Sequence, residues 1–598
     1  MIRVADYIAQ TLADQGITDV FMVTGGGAMH LNDALGRCRR LRTICCHHEQ
    51  ACAMAAESYF RLTGRLAAVN VTSGPGGSNA ITGVHGAWTD SLGLIVVSGQ
   101  VKRETLVRSF GLPLRQLGDQ ELDITPMVAP ITKYAVMVTD PASIRFHLEK
   151  AIHLARTGRP GPVWLDVPMD VQGAQVDPDR LRGFVPEAEP EPDLAPVARE
   201  VLARLARAER PAILAGSGVR IGGAQHDFLA LAERLGLPVT TAFNAHDLLP
   251  HDHPLLCGRP GTIGDRAGNF TVQNSDFLLV LACRLNIRQI SYNWGSFARH
   301  AYQVMVDIDP AELRKPTLRV DLPIQADVGR FLRQMLELAP APAPAHRRYL
   351  DWCRQRVARY PVVLPEYWAK PAPINPYCFV EALFQQLEPG DITVTGNASA
   401  CIVPFQAARL KPGQRLYSNS GSASMGYDLP AALGAAVGAP GQRVICLAGD
   451  GSLQMNVQEL ATVAHHRLPI KLFVLNNRGY HSIRQTQEAY FPHSPIGYQP
   501  DNGVSFPRVE GLAQAYGLPY FRLANHGDLT EGLARVLGTT GPVLCEVMLD
   551  PAQPFAPKLA SRRLEDGSMV SPDLEDMAPF LPRDEFRRNQ HPDAGNGS

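Results

Sequence analysis

The stretch Leu447–Tyr480, LAGDGSLQMNVQELATVAHHRLPIKLFVLNNRGY, decides the fold. It continues the apolar strand RVICLA (443–448) and breaks at Gly449-Asp450-Gly451. Apolar residues at Val457, Leu460, Ala461 and Ala464 then recur at helical spacing, which predicts a helix from near Asn456. A second buried-strand run, IKLFVL, ends in Asn476-Asn477. Strand, glycine-rich turn, helix and strand make a βαβ unit, so the two strand ends lie side by side. Ligands of such sheets bind at the carboxyl ends of the strands. Asp450 and Asn477 both fall there. One offers a charge and the other a carbonyl, which are hard oxygen ligands of the kind Mg²⁺ takes. The free N–H groups of the helix favour phosphate at the same corner. A turn aspartate and a loop amide are the plain alternatives, and the pairing of GDG with NN across one βαβ unit argues against them.

The rest of the chain is α/β as well. Residues 1 to about 175 alternate helix and strand, from VADYIAQTLADQG and DVFMVTGGG through LAAVNVTSG and LGLIVVSGQ to PVWLDVP. A proline- and acid-rich linker, GFVPEAEPEPDLAP (183–196), follows. A second doubly wound unit runs from PVAREVLARLARA to YQVMVDIDP and stops at the breaker LAPAPAPAHRR (338–348). The third unit holds the opening stretch. The expected organisation is three doubly wound domains with mostly parallel sheets, at 1–182, 190–340 and 360–555. A polar, weakly patterned tail follows at 556–598.

Bulk composition narrows the partners. With 57 basic and 58 acidic residues the formal charge is −1, which gives no pull toward nucleic acid or an anionic membrane. No apolar run approaches the roughly 20 residues that span a bilayer. The first residues read as an amphipathic helix and not as a secretory signal. Eleven scattered cysteines without CxxC suggest reduced thiols and a cytoplasmic location.

The GDG–helix–NN spacing resembles the thiamine diphosphate (ThDP) enzymes. Three α/β units match their pyrimidine-binding, central and diphosphate-binding domains, in that order. The resemblance implies that Asp450, Asn477 and the carbonyl of Gly479 hold Mg²⁺ on the cofactor diphosphate. Gly449, Gly451, Ser452 and Tyr480 would line the same end. Glu49, in HHEQACAMAAESYFRLTG, matches the glutamate that activates the cofactor through its pyrimidine ring, for which a carboxyl in a dry pocket is needed. By itself it reads as a helix N-terminal glutamate. Met425, in SGSASMG (420–426), matches the apolar wedge that bends the cofactor. Ser422 would lie with it, and the carbonyl of Ala423 would receive the pyrimidine amino group. The bend is a proximity device, and the carbanion chemistry is the cofactor's.

Within that family the chain is most similar to acetolactate synthase, through VTGGGA (23–28), TSGPGGSNA (72–80), GDQELD (118–123), TGRPGPVWLDVPMDV (157–171) and VDIDPAEL (306–313). Gly25, Gly26 and Gly27 would lie against the reactive end of the cofactor, and Gln120 matches an active-site glutamine. The synthases also bind FAD in the central domain. The matching positions are Arg159, Gly216, Gly218, Arg284, Arg288, Asp307 and Asp327. GSGVRIGG (216–223) does not fit GxGxxG, which leaves a nicotinamide dehydrogenase without support. GDRAG (264–268) also departs from the synthase pattern at that place.

One departure bears on the acceptor. Biosynthetic synthases carry QWQ after the NN motif, and here the triplet is Gln485-Thr486-Gln487. Loss of the ring opens the acceptor pocket. The chain is more similar still to carboligases that pass the two-carbon unit of pyruvate to ketones, including nucleotide-linked keto-sugars in branched-sugar formation. The alternatives are acetolactate synthase proper, a 2-keto acid decarboxylase, transfer to phosphate, and a silent assembly subunit. The resemblance implies a homodimer or homotetramer with each site between chains, Glu49 from one and Asp450 from another.

Overall fold

The computed structural model describes residues 1–187, 192–563, 566 and 568–590. The centre of the acidic linker and the end of the tail lie outside the described residues. Three parallel sheets form the frame. In the first, β1 (Asp19–Met22), β2 (Arg42–Cys45), β3 (Ala68–Val71), β4 (Leu94–Gln100), β5 (Tyr134–Met137) and β6 (Pro162–Pro168) lie in the order β2-β1-β3-β4-β6-β5. In the second, β7 (Pro211–Ala215), β8 (Val239–Thr241), β9 (Phe277–Leu281), β10 (Tyr302–Asp307) and β11 (Leu322–Gln325) lie in the order β8-β7-β9-β10-β11. In the third, β12 (Ile392–Thr395), β13 (Arg415–Tyr417), β14 (Val444–Gly449), β15 (Ile470–Asn476), β16 (Tyr520–Leu523) and β17 (Val543–Met548) lie in the order β13-β12-β14-β15-β17-β16.

The first and third sheets therefore share one strand order. In each, the strand order switches sides between the first and third strands, and a crevice opens at the carboxyl ends of such strands. The central strands are apolar and wholly buried, as in LIVVSGQ of β4 and FLLVL of β9, because helices cover both faces.

The first and third units pack closely within the chain. Helix Glu49–Thr63 lies on helix Asp428–Gly438, so near that a Cβ on Gly434 would sit 2.0 Å from the Ala55 carbonyl oxygen. Polar groups buried by this contact are matched. Ser58 donates to the Ala431 carbonyl at 2.7 Å, and Tyr427 donates to Glu57 at 2.5 Å. Arg61 pairs with Glu57 and Asp90.

Three local expectations need correction. The helix after Gly451 does not start near Asn456. A 3-10 turn, Leu453–Met455, comes first, and the helix is Glu459–His465. The breaker at 338–348 leads directly into helix Pro344–Arg359, whose Tyr349 and Cys353 are buried in the central unit. The tail, expected to be polar and weakly patterned, packs on the central unit. Leu574 and Met577 are buried, and Gln273 and Arg299 of the central unit hold Glu575 at 2.8 and 2.7 Å.

Candidate active site

β14 and β15 pair in register up to Gly449 and Leu475, so Asp450 and Asn477 emerge on one edge. Asp450 is 5% exposed and accepts the N–H groups of Gly451 at 2.9 Å and Gly479 at 3.0 Å. Among the described residues no cation pairs with it, and burial pushes its carboxyl up to about 7. Asn477, also 5% exposed, donates its Nδ2 to the Ser399 hydroxyl at 3.1 Å. Its Oδ1 is buried and has no hydrogen-bond partner among the described residues. An orphaned amide oxygen is costly, and so is a buried carboxylate without a cation. One hard divalent cation would relieve both, so the residues present fit Mg²⁺.

Two glycines of this corner are sterically required. Gly479 has φ 140°, and a Cβ there would lie 1.9 Å from the Tyr498 carbonyl oxygen. On Gly451 a Cβ would lie 2.2 Å from the Tyr480 ring, which meets Phe506 edge-on. Gly449, by contrast, faces open space, where an added Cβ would find its nearest neighbour, Ser452, at 3.8 Å. Ser452 accepts the Gly426 N–H at 2.9 Å and donates to buried Asp428 at 2.6 Å, tying the corner to the 420–426 loop.

In that loop Ala423 is left-handed (φ 52°), and its carbonyl accepts Asn397 Nδ2 at 2.6 Å. Met425 is 39% exposed, an unusual place for its side chain in one chain alone. Ser422 contacts His85 Nδ1 at 3.1 Å.

The first unit presents its own crevice. The turn after β1 carries Gly25, Gly26 and Gly27. Gly27 N–H donates to Thr72 Oγ1 at 3.0 Å, and a Cβ on Gly25 would lie 2.5 Å from that threonine's Cβ. Gln120 is exposed, has φ 60°, and lays its carbonyl against Gly74. Glu49 follows β2 as the first residue of its helix, which His48 caps by accepting the Gln50 N–H at 3.0 Å. Its carboxylate accepts Asn79 Nδ2 at 3.0 Å and is only half-buried. Gln50 reaches Asn456 of the same chain at 3.0 Å, and Glu459 accepts the His47 N–H at 3.0 Å.

Three supporting residues are not marked by the sequence: Asn397, Ser399 and Asp428. Each holds a site group named above, and none stands in a spacing that local pattern makes distinctive. GNAS after β12 is the nearest signal.

A third concavity, about 360 Å³, lies where all three units meet. Arg159, Gly216, Gly218, Arg284, Asp307 and Asp327 line it together with Ser420. Arg159 bonds Asp309 at 2.9 Å and Glu312 at 2.7 Å, and Asp327 caps helix Val328–Leu338. Arg288 differs from the expectation. It is exposed and is not among the residues lining the cavity.

Comparison with known proteins gives three family matches along the chain. They are the N-terminal TPP binding domain of thiamine pyrophosphate enzymes at residues 2–127, the central domain at 198–335 and the C-terminal TPP binding domain at 396–547. The chain is 31% identical to the probable acetolactate synthase large subunit of Methanocaldococcus jannaschii, over 92% of each protein. It is 31% identical to the acetolactate synthase isozyme 1 large subunit of Escherichia coli K12, over 92% of this chain and 95% of that one. It is 32% identical to the probable chloroplastic acetolactate synthase 2 of Oryza sativa subsp. japonica, over 93% and 84%.

Proposed function

We propose, from the premise that this chain belongs to the thiamine pyrophosphate enzymes and among them is acetolactate synthase-like, that it is a carboligase. It decarboxylates pyruvate and passes the two-carbon unit to a carbonyl acceptor. The observation that carries this is the buried Asp450 carboxylate beside the orphaned Oδ1 of Asn477. These two, with the Gly479 carbonyl, would hold Mg²⁺ on the cofactor diphosphate.

When bound, ThDP supplies the electron sink that makes loss of CO₂ from a 2-keto acid feasible. The chain's residues do the rest. Gly449 leaves room for the diphosphate, and Met425 supports the bend of the cofactor. Gly25, Gly26 and Gly27 allow close approach at its reactive end, beside Gln120. Glu49 holds and moves the proton that activates the ring. Its half-buried carboxyl lacks a dry surround in one chain, and Met425 is left open, so a second chain closes the site. The assembly is a homodimer or homotetramer, with Glu49 and Asp450 of one site from different chains. The cavity lined by Arg159, Arg284 and Asp307 is the seat of FAD. A cytoplasmic location suits eleven unpaired cysteines.

The acceptor is a ketone, with a nucleotide-linked keto-sugar as the leading class. The support is Thr486, exposed on helix His481–Tyr490, where the synthases place a tryptophan. The overall likeness to acetolactate synthases favours a second reading, in which a second pyruvate is the acceptor. Incubation with ThDP, Mg²⁺ and labelled pyruvate, with and without a ketone acceptor, separates them. Acetolactate as the main product in both arms selects the second reading. Free aldehyde alone means plain decarboxylation, and no CO₂ release at all removes the proposal.

A further inference from the structure

The helix that starts at Glu49 carries a buried ionic cluster near its other end. Glu57 and Arg61 meet Asp90 there, which follows helix Pro75–Thr89, and no side chain of the three is more than 7% exposed. Arg61 donates to Asp90 at 2.8 Å and also to Glu57. The reaction above assigns no part to any of them. Each carboxylate turns its second oxygen to the third unit. Glu57 accepts the Tyr427 hydroxyl at 2.5 Å, and Asp90 accepts the Gly421 N–H at 3.0 Å.

Tyr427 and Gly421 bracket residues 422–426, the segment that holds Ser422, Ala423 and Met425. The cluster therefore grips this loop at both ends. Asn244 of the central unit takes hold just ahead of it, donating to the Ser418 carbonyl at 2.8 Å and accepting the Ser418 N–H at 2.9 Å. The grip is close, since a Cβ on Gly421 would lie 2.3 Å from Asp90 Oδ1. A buried ion pair adds little net stability over apolar packing, because desolvation offsets the attraction. What a hydrogen-bonded cluster supplies is one fixed geometry.

We infer that Glu57, Arg61 and Asp90 are positioning residues for ThDP, acting through the 421–427 loop of their own chain. The inference rests on the reading of that loop as the cofactor cradle. It also divides one helix between two sites. Glu49 serves the site completed by a second chain. Arg61, about 18 Å further along the helix axis, serves the site built on its own chain's Asp450.

Two variants test the contact. Asp90→Asn removes the charge and keeps the shape. Gly421→Ala leaves all three charges paired and pushes the loop away, so it reads the same contact even if Asp90→Asn folds poorly. Calorimetry with Mg²⁺ should show ThDP bound about tenfold more weakly by each, with KM for pyruvate at saturating ThDP unchanged. The double variant should bind ThDP no more weakly than the weaker single one, because both break one contact. Mixed dimers test the chain assignment. With Glu49→Gln subunits in about tenfold excess, nearly every Asp90→Asn chain pairs with a Glu49→Gln chain. The live site then joins Glu49 of the Asp90→Asn chain to the intact loop of its partner, and its KM for ThDP should be that of wild type. A KM raised about tenfold, in a protein whose Glu49→Gln and Asp450→Ala subunits do complement, would overturn the inference. So would wild-type ThDP affinity in both single variants, or additive losses in the double variant. Failure of Glu49→Gln and Asp450→Ala to complement removes only the reading of sites between chains, and the affinity measurements still decide the positioning role.

Discussion

The carboxylate of Asp450 accepts the backbone N–H of Gly479 at 3.0 Å, joining the ends of β14 and β15 into one corner. The bond orients one proposed metal ligand with the backbone of another. It depends on a residue without a side chain, since Gly479 has φ 140° and faces the Tyr498 carbonyl. Gly479→Ala should therefore disturb the corner more than its size suggests. A cost of about 2–3 kcal/mol is expected in denaturant unfolding. ThDP affinity measured with Mg²⁺ should fall with it. Unchanged affinity and stability would mean the corner is not built as described.

Among the described residues of one chain, the Glu49 side chain hydrogen-bonds only Asn79. Removing its ionisable proton while keeping its shape isolates the proposed role. Glu49→Gln should lower pyruvate turnover by about 10²–10⁴-fold, the range of a lost acid–base group. ThDP binding should change little. Loss of both together would make Glu49 a structural residue.

A carboxyl outside the site contributes to pH-dependent stability. Asp166 on β6 is fully buried, accepts Ser98 at 2.6 Å and Gln100 at 2.9 Å, and burial raises it from 3.8 to about 7. The folded state then holds a proton that the unfolded state releases between these values. Stability from this group is full below pH 3.8, falls as pH rises toward about 7, and levels above it. The ceiling is about 4 kcal/mol. Asp166→Asn mimics the protonated form and should flatten the slope of unfolding free energy between about pH 5 and 7, measured by urea titration. A slope equal to wild type would refute the assignment.

The three-unit cavity makes a spectroscopic prediction. Purified protein should carry a flavin absorption band. Arg284→Gln, which removes a lining cation, should lower the flavin retained by about tenfold. A colourless wild-type protein that takes up no added FAD would exclude the flavin site.

Much of this is legible along the chain because it is local. GDG, NN and the buried strands IKLFVL and LIVVSGQ declare a βαβ arrangement through hydropathy and turn chemistry alone. Short edge strands do not declare themselves. Tyr134–Met137 has three part-buried residues and one buried, with no clear alternation, and it is a strand because β6 lies beside it. The tail resists local reading for a similar reason. Its buried Leu574 and Met577 are isolated apolar residues, and their partners lie some hundreds of positions earlier, at Asn269 and Arg266. Arg288 shows the reverse case. A matching residue type stands at the matching position, yet it is not among the residues lining the cavity.

The division of the active site between chains is the central claim, and subunit mixing tests it most directly. Glu49→Gln and Asp450→Ala proteins should each be inactive alone. If Glu49 and Asp450 of a site come from different chains, a mixed dimer puts both defects in one site and leaves the other whole. Equal mixing with exchange should then restore about a quarter of wild-type pyruvate turnover. No recovery, with exchange confirmed by tagged subunits, would place both residues of each site in one chain and contradict the account.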